Sequence, residues 1–108
     1  MLMFVETPLF SRLVHEYISD VEYATLQAEL AQRPDSGTVV PGSGGVRKIR
    51  WGVAGRGKRG GVRVIYFARI HLGKIWMLTI YAKSEMGNIS PSALRKIRQE
   101  LEDAETSS

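Results

Sequence analysis

The 108-residue chain contains no cysteine. That excludes disulfide frameworks, thiolate metal sites and cysteine nucleophiles together, and it suits a reducing compartment such as the cytoplasm. Only two histidines occur, His15 and His71. Neither has the spacing of a metal-ligand pair or of a Ser-His-Asp arrangement, and no acid is placed to partner His15, which disfavours metal and triad hydrolases. No apolar run approaches the roughly 20 residues that a membrane-spanning helix needs. Residues 1–6 lack a basic stretch and reach Glu6 early, so they are not expected to form a signal peptide. The most informative absence is local: residues 46–83 hold ten Lys and Arg and not one Asp or Glu.

Around that stretch the balance reverses. Residues 1–45 carry two basic and six acidic side chains, and residues 84–108 carry three basic and five acidic ones. The net charge of +4 therefore conceals a concentrated basic middle in a mildly acidic frame, the footprint expected for a polyanionic partner such as nucleic acid. A merely solvated face would interleave acids among these cations.

Residues 2–6 form a short apolar run that predicts a first strand. Thr7-Pro8 then predicts a helix start, with Thr7 as N-cap and Pro8 in the first helical position. Leu9, Phe10, Leu13, Val14 and Tyr17 recur on one face of that helix. Ser19 and Glu22 have capping-box spacing for a second helix carrying Tyr23, Leu26 and Leu30 on its buried stripe. Arg33 precedes Pro34, which ends that helix near Gln32. The glycines and prolines of residues 34–45 predict an irregular connector. Strands follow over residues 46–53, 62–70 and 74–82, the first two separated by a glycine-rich turn at 55–61. Alternation puts Lys48 and Arg50 on one face of their strand, about 7 Å apart, and Arg47, Ile49 and Trp51 on the other. The last of these strands is apolar on both faces and is expected to be central. Ser90-Pro91 opens a final helix with Leu94, Ile97 and Leu101 inward, and its polar end from Glu102 onward is expected to fray. The expectation is a single α+β domain over residues 1–108: an N-terminal strand, a two-helix hairpin, an antiparallel sheet of about four strands with the helices on one side, and a C-terminal helix.

Three runs stand in a suggestive order: Gly-Gly-Val-Arg-Lys-Ile-Arg-Trp at residues 44–51, Gly-Lys-Arg-Gly-Gly-Val-Arg-Val-Ile-Tyr at 57–66, and Leu-Thr-Ile-Tyr-Ala-Lys-Ser-Glu at 78–85. Together they resemble the RelE/HigB toxins of type II toxin–antitoxin systems, and in particular the HigB-type branch. The resemblance implies a RelE-like fold and a metal-independent endoribonuclease without cofactor, which cuts mRNA in the ribosomal A site and so inhibits translation. It implies a HigA-like antitoxin with a helix-turn-helix domain as partner, with operator DNA bound only through that complex. Metal-free RNA cleavage needs groups to take the 2′-hydroxyl proton, to stabilise charge on phosphorus and to support the leaving 5′-oxygen. Where no histidine pair serves, these tasks fall to Lys and Arg, and a lysine crowded by cations can act as base because neighbouring positive charge disfavours its protonated form.

On the matching positions, the resemblance assigns catalysis to Lys48 and Arg50 as paired cations, to Arg63 as the phosphate holder, and to Lys83 as charge stabiliser or proton donor. Arg47, Lys58, Arg59 and Tyr81 are the expected RNA or ribosome contacts, with Tyr66 as the other tyrosine available to stack a base. The chain departs from RelE at Ser84, where RelE has a further arginine, and at residues 89–93, where no tyrosine opens the last helix. Two competing readings remain at this stage: a non-catalytic basic module that only grips RNA or the ribosome, and a ParE-like poison of DNA gyrase. Gyrase poisons of this superfamily generally lack the basic set found here.

Overall fold

The computed structural model describes residues 2–52, 61–82 and 90–107. In chain order these are β1 (Met3–Glu6), α1 (Pro8–Tyr17), α2 (Asp20–Gln32), β2 (Thr38–Val39), β3 (Arg47–Trp51), β4 (Val62–Arg69), β5 (Lys74–Ala82) and α3 (Pro91–Ser107). A single 3-10 turn at Ile70–Leu72 and Gly73, which adopts a left-handed φ of 69°, reverse the chain between β4 and β5. The five strands form one mixed sheet in the order β1-β5-β4-β3-β2.

The helix starts follow from their caps. Thr7 Oγ1 accepts from the Phe10 amide at 3.0 Å and Pro8 follows it. Ser19 and Glu22 close a reciprocal capping box, and Ser90 Oγ accepts from the Ala93 amide. Each satisfies amides that the first helical turn leaves unbonded.

Four sequence expectations need correction. The sheet is not wholly antiparallel, because β1 runs parallel to β5 with Met3 opposite Lys74 and Glu6 opposite Met77. No turn joins these two strands, so no local signal sets their relative sense. A fifth strand, β2, arises inside the predicted connector and pairs antiparallel with β3. The helices do not share one side. Phe10, Val14, Ile18, Tyr23, Leu26 and Leu30 of α1 and α2 pack with Val62, Val64, Tyr66, Ile75, Met77 and Ile80, while Leu94 of α3 packs with Val46, Ile65, Phe67, Trp76, Leu78 and Tyr81. Since β4 and β5 are apolar on both faces, each face needs its own cover, and the result is a helix–sheet–helix sandwich.

The fourth correction concerns α3. It continues through Ser107 rather than fraying at Glu102, because its polar end is engaged. Glu102 pairs with both Arg69 and Arg98, and Glu105 pairs with Lys74. Both guanidinium groups also lie over the Phe67 ring, each 5.7 Å from its centre. Ile97, predicted inward, is 36% exposed; the place over Phe67 belongs to Arg98 instead.

One irregularity shapes the site. Ile65 pairs with Thr79 but Tyr66 pairs with Met77, so Leu78 is an extra residue on β5, a β-bulge. The loosened peptide is held by Thr7, whose Oγ1 donates to the Leu78 carbonyl at 2.7 Å and whose amide donates to Met77 O at 3.1 Å. The residue that starts α1 thus also secures the bulge.

Candidate nucleic-acid interface

β3 places its cations by simple alternation. Ile49 and Trp51 join the α1/α2 core, so Lys48 and Arg50 point to the α3 side. On β4, Val62 and Val64 also enter the α1/α2 core, which turns Arg63 to the α3 side. On β5 the bulge changes the phase of the alternation: Met77 and Ile80 belong to the α1/α2 core, and Tyr81 belongs to the α3 side. Arg50, Arg63 and Tyr81 consequently form one row across three adjacent strands, with Arg50 opposite Arg63 and Arg63 opposite Tyr81. Lys48, opposite Ile65, stands in the next row inward. The structure thereby assembles Lys48, Arg50, Arg63 and Tyr81 on a single face.

Their environments differ. Arg50 is exposed, Lys48 and Arg63 are half-buried, and Tyr81 is only 4% exposed. Burial pushes the Tyr81 hydroxyl above the ordinary tyrosine range, against the opposing pull of the Arg63 charge beside it. Tyr81 is therefore a neutral ring with a protonated hydroxyl at physiological pH. Two arginines directly opposite each other on paired strands are a disfavoured pairing.

Inward from this row lies a cavity of about 280 Å³ lined by Val40, Pro41, Lys48, Ile65, Tyr81, Pro91 and Leu94. Its floor is the sheet, one wall is the first turn of α3, and the other is the hairpin between β2 and β3. That hairpin carries the connector glycines. Gly42, Gly44 and Gly45 take φ values of 78°, 79° and 103°, where side chains are disfavoured. The buried Ser43 hydroxyl binds the Val40 carbonyl at 2.6 Å and accepts from the Val46 amide at 3.1 Å. The Arg95 guanidinium donates to the Gly42 carbonyl through Nε at 2.9 Å and Nη2 at 2.7 Å.

The remaining expected contacts divide. Arg47 lies on the opposite face and donates to the Gly37 carbonyl at 2.7 Å, holding the turn that follows α2. Tyr66 is fully buried in the α1/α2 core, its hydroxyl accepting from the Gly37 amide and donating to the Pro34 carbonyl. It is a structural tyrosine, which leaves Tyr81 as the ring on the site face. Lys58, Arg59 and Lys83 lie outside the described residues; Lys83 follows directly on Ala82 in the sequence. His15 pairs with Asp20 at 3.3 Å on the surface, correcting the expectation that it had no acid partner, and His71 lies 2.9 Å from Arg69, away from this face's cations. Among the described residues no cluster of three or more His, Cys, Asp or Glu is placed to hold a metal, and no helix is long and apolar enough to cross a membrane.

Sequence reasoning missed the involvement of Arg95 and of the connector. The available signal was the alignment of Pro91, Arg95 and Arg98 on one stripe of α3 and the density of glycine in residues 42–45: a backbone with few side chains can approach a helix closely.

Compared with known families, residues 7–106 match the family model described as the RelE toxin of the RelE/RelB toxin–antitoxin system. The match spans α1 through α3 and includes every residue of the basic row.

Proposed function

The chain belongs to the RelE toxin family, the toxin component of a toxin–antitoxin pair, and from that premise we propose that it is a ribosome-dependent mRNA endonuclease. The observation that carries this reading is the row Arg50–Arg63–Tyr81 with Lys48 beside it. Two cations and a neutral aromatic ring on one sheet face suit a phosphate flanked by an unpaired base.

In this reading Arg50 and Arg63 hold the scissile phosphate and take up the negative charge that grows on it. Lys48, one row inward, stands on the ribose side and receives the 2′-hydroxyl proton. The 2′-oxygen forms a bond to phosphorus, the bond from phosphorus to the 5′-oxygen breaks, and a proton is delivered to that oxygen, a task assigned to Lys83. The products are a 2′,3′-cyclic phosphate and a free 5′-hydroxyl. Tyr81, which lines the cavity beside Lys48, meets the edge of the base there. Lys58 and Arg59 are assigned to ribosomal or messenger RNA contacts, whereas Arg47, bound to the Gly37 carbonyl on the other face, is released from that role. The whole chain acts as one toxin domain, in the cytoplasm, where a HigA-like helix-turn-helix antitoxin neutralises it and carries it to operator DNA.

The test is brief expression of the wild-type chain beside Arg63→Ala, with mRNA 3′ ends mapped in both. Codon-positioned cuts that drop at least about a hundredfold in the variant support the reading. Growth arrest with intact mRNA points to ribosome blockade or gyrase poisoning, and healthy growth at full expression removes the toxin activity.

A further inference from the structure

One wall of the cavity beside Lys48 is tied to α3 by a side chain. Val40 and Pro41 form that wall, and the hairpin that carries them is stiffened internally by Ser43. Next to the cavity it is bonded to α3 by the fork from Arg95 to the Gly42 carbonyl, and farther along Gly44 lies against the Arg98 side chain. Arg95 follows Leu94 and lies one turn beyond Pro91, so the helical turn that lines one side of the cavity also reaches over and fixes the opposite lip. The left-handed Gly42 is pressed close, with a Cβ there falling 3.5 Å from the Pro91 ring.

We propose that this cavity takes a single RNA base and that Arg95 is the positioning residue that sets its width, and with it the base preference of cleavage. The inference rests on the nuclease reading above and adds a substrate subsite to it. Of the residues that line it only Lys48 and Tyr81 carry polar side-chain groups, as expected for a slot that holds a ring by its faces and reads its edge with few polar groups. Its volume of about 280 Å³ lies just under the roughly 300 Å³ at which pockets for whole drug-sized ligands begin, so it accommodates one ring system rather than a base pair. Its position supplies the rest. Lys48 borders both the cavity and the cationic row, so a nucleotide whose phosphate rests on Arg50 and Arg63 can place its own or the neighbouring base in the slot.

An arginine on an exposed helix face also invites a simpler role as a phosphate contact, and lysine separates the two. Arg95→Lys keeps the charge but cannot donate twice in the plane of a guanidinium. Wild type, Arg95→Lys and Arg95→Ala are compared on ribosomes programmed with A-site codons varied one base at a time, reading kcat/KM for each codon and the salt slope of binding. Both variants are expected to lose about tenfold discrimination at one codon position, on the scale of stacking a single base, while Arg95→Lys keeps the wild-type salt slope. Retained discrimination in Arg95→Lys, with Arg95→Ala weakened equally on all codons and its salt slope reduced by about one, would make Arg95 a phosphate contact and overturn the proposal.

A second readout does not depend on cutting. Nucleoside 3′,5′-bisphosphates are titrated into the intact protein while the Ile65 and Leu94 methyl resonances are followed. Shifts in wild type that disappear in Arg95→Ala support the slot even if the protein cuts nothing, a result that would remove the nuclease reading alone. A wild type that cuts mRNA yet shows neither methyl shifts nor base preference removes the slot alone.

Discussion

Arg50 and Arg63 occupy opposed positions on paired strands, where like charges cost stability rather than add to it. If they serve the proposed phosphate site, stability and activity separate at a single residue. Beyond its effect on the proposed cleavage, Arg63→Ala is expected to change the stability of the free protein by no more than about 0.5 kcal/mol, the scale of one cross-strand pair. Equilibrium unfolding checks this, and a loss beyond about 1 kcal/mol would make Arg63 a structural residue. Tyr23 shows the opposite case, a side chain committed to the fold. Its hydroxyl donates to Glu6 at 2.7 Å, and its pKa is raised well above the ordinary value, first by burial and then by the bond to that carboxylate and its charge. Below the unfolded-state value of about 10 both states hold the proton and the contribution is intact. Above it the unfolded chain releases the proton and is favoured, so stability falls as pH rises past about 10. Urea midpoints measured from pH 8 to pH 11 should decline for wild type and decline less steeply for Tyr23→Phe.

At the scale of elements, α3 is attached at its two ends by different chemistry. Its first turns meet the hairpin through Arg95, and its last turns meet the sheet through Glu102 and Glu105. Glu102 accepts from both Arg69 and Arg98, each largely shielded from solvent, so Glu102→Ala leaves two guanidinium groups short of a partner beside Phe67. The expected cost is about 1–2 kcal/mol, and the loss should be seen in amide exchange over residues 99–107 before it is seen in α1 or α2. These ties also explain what the sequence disclosed and what it withheld. Thr7, Ser19 and Ser90 announce helix starts because a cap is a local bond between near neighbours, and Lys48 and Arg50 announce a common face because alternation is local too. The span of α3, the side it covers and the inward turn of Arg98 depend on Arg69, Lys74 and Phe67, which are remote in sequence. The same holds for β1, whose parallel partner is fixed by Gly73 and Met77 and not by any turn. Hairpin strand β2 was hidden for another reason: glycine and proline signal a break in regular structure, and the two residues of Thr38–Val39 are too few to show a period.

For the molecule as a whole, the charge distribution read from composition becomes a directional surface. The cations of the basic row face the α3 side, and Arg47, Arg69 and Lys74 from the same stretch of chain are bound to carbonyls or carboxylates. Only part of the ten-cation excess is thus available to a polyanion, and the salt response should reflect that. The logarithm of ribosome affinity is expected to fall with the logarithm of salt concentration with a slope of about −2 to −4, as for three to five neutralised phosphates. A slope near zero would mean that binding does not use this face. The bulge at Leu78 carries the consequence for how such a protein can change. It divides β5 into two segments that differ in phase by one residue: Ile75 and Met77 before it and Ile80 after it face α1 and α2, while Trp76 before it and Tyr81 after it face α3. Without the bulge, the alternation that puts Met77 in the α1/α2 core would put Tyr81 there as well. Flattening the bulge while keeping every residue would leave the composition of the strand intact yet exchange the two audiences of every side chain beyond it, turning Tyr81 toward α1 and α2 and Ile80 toward α3.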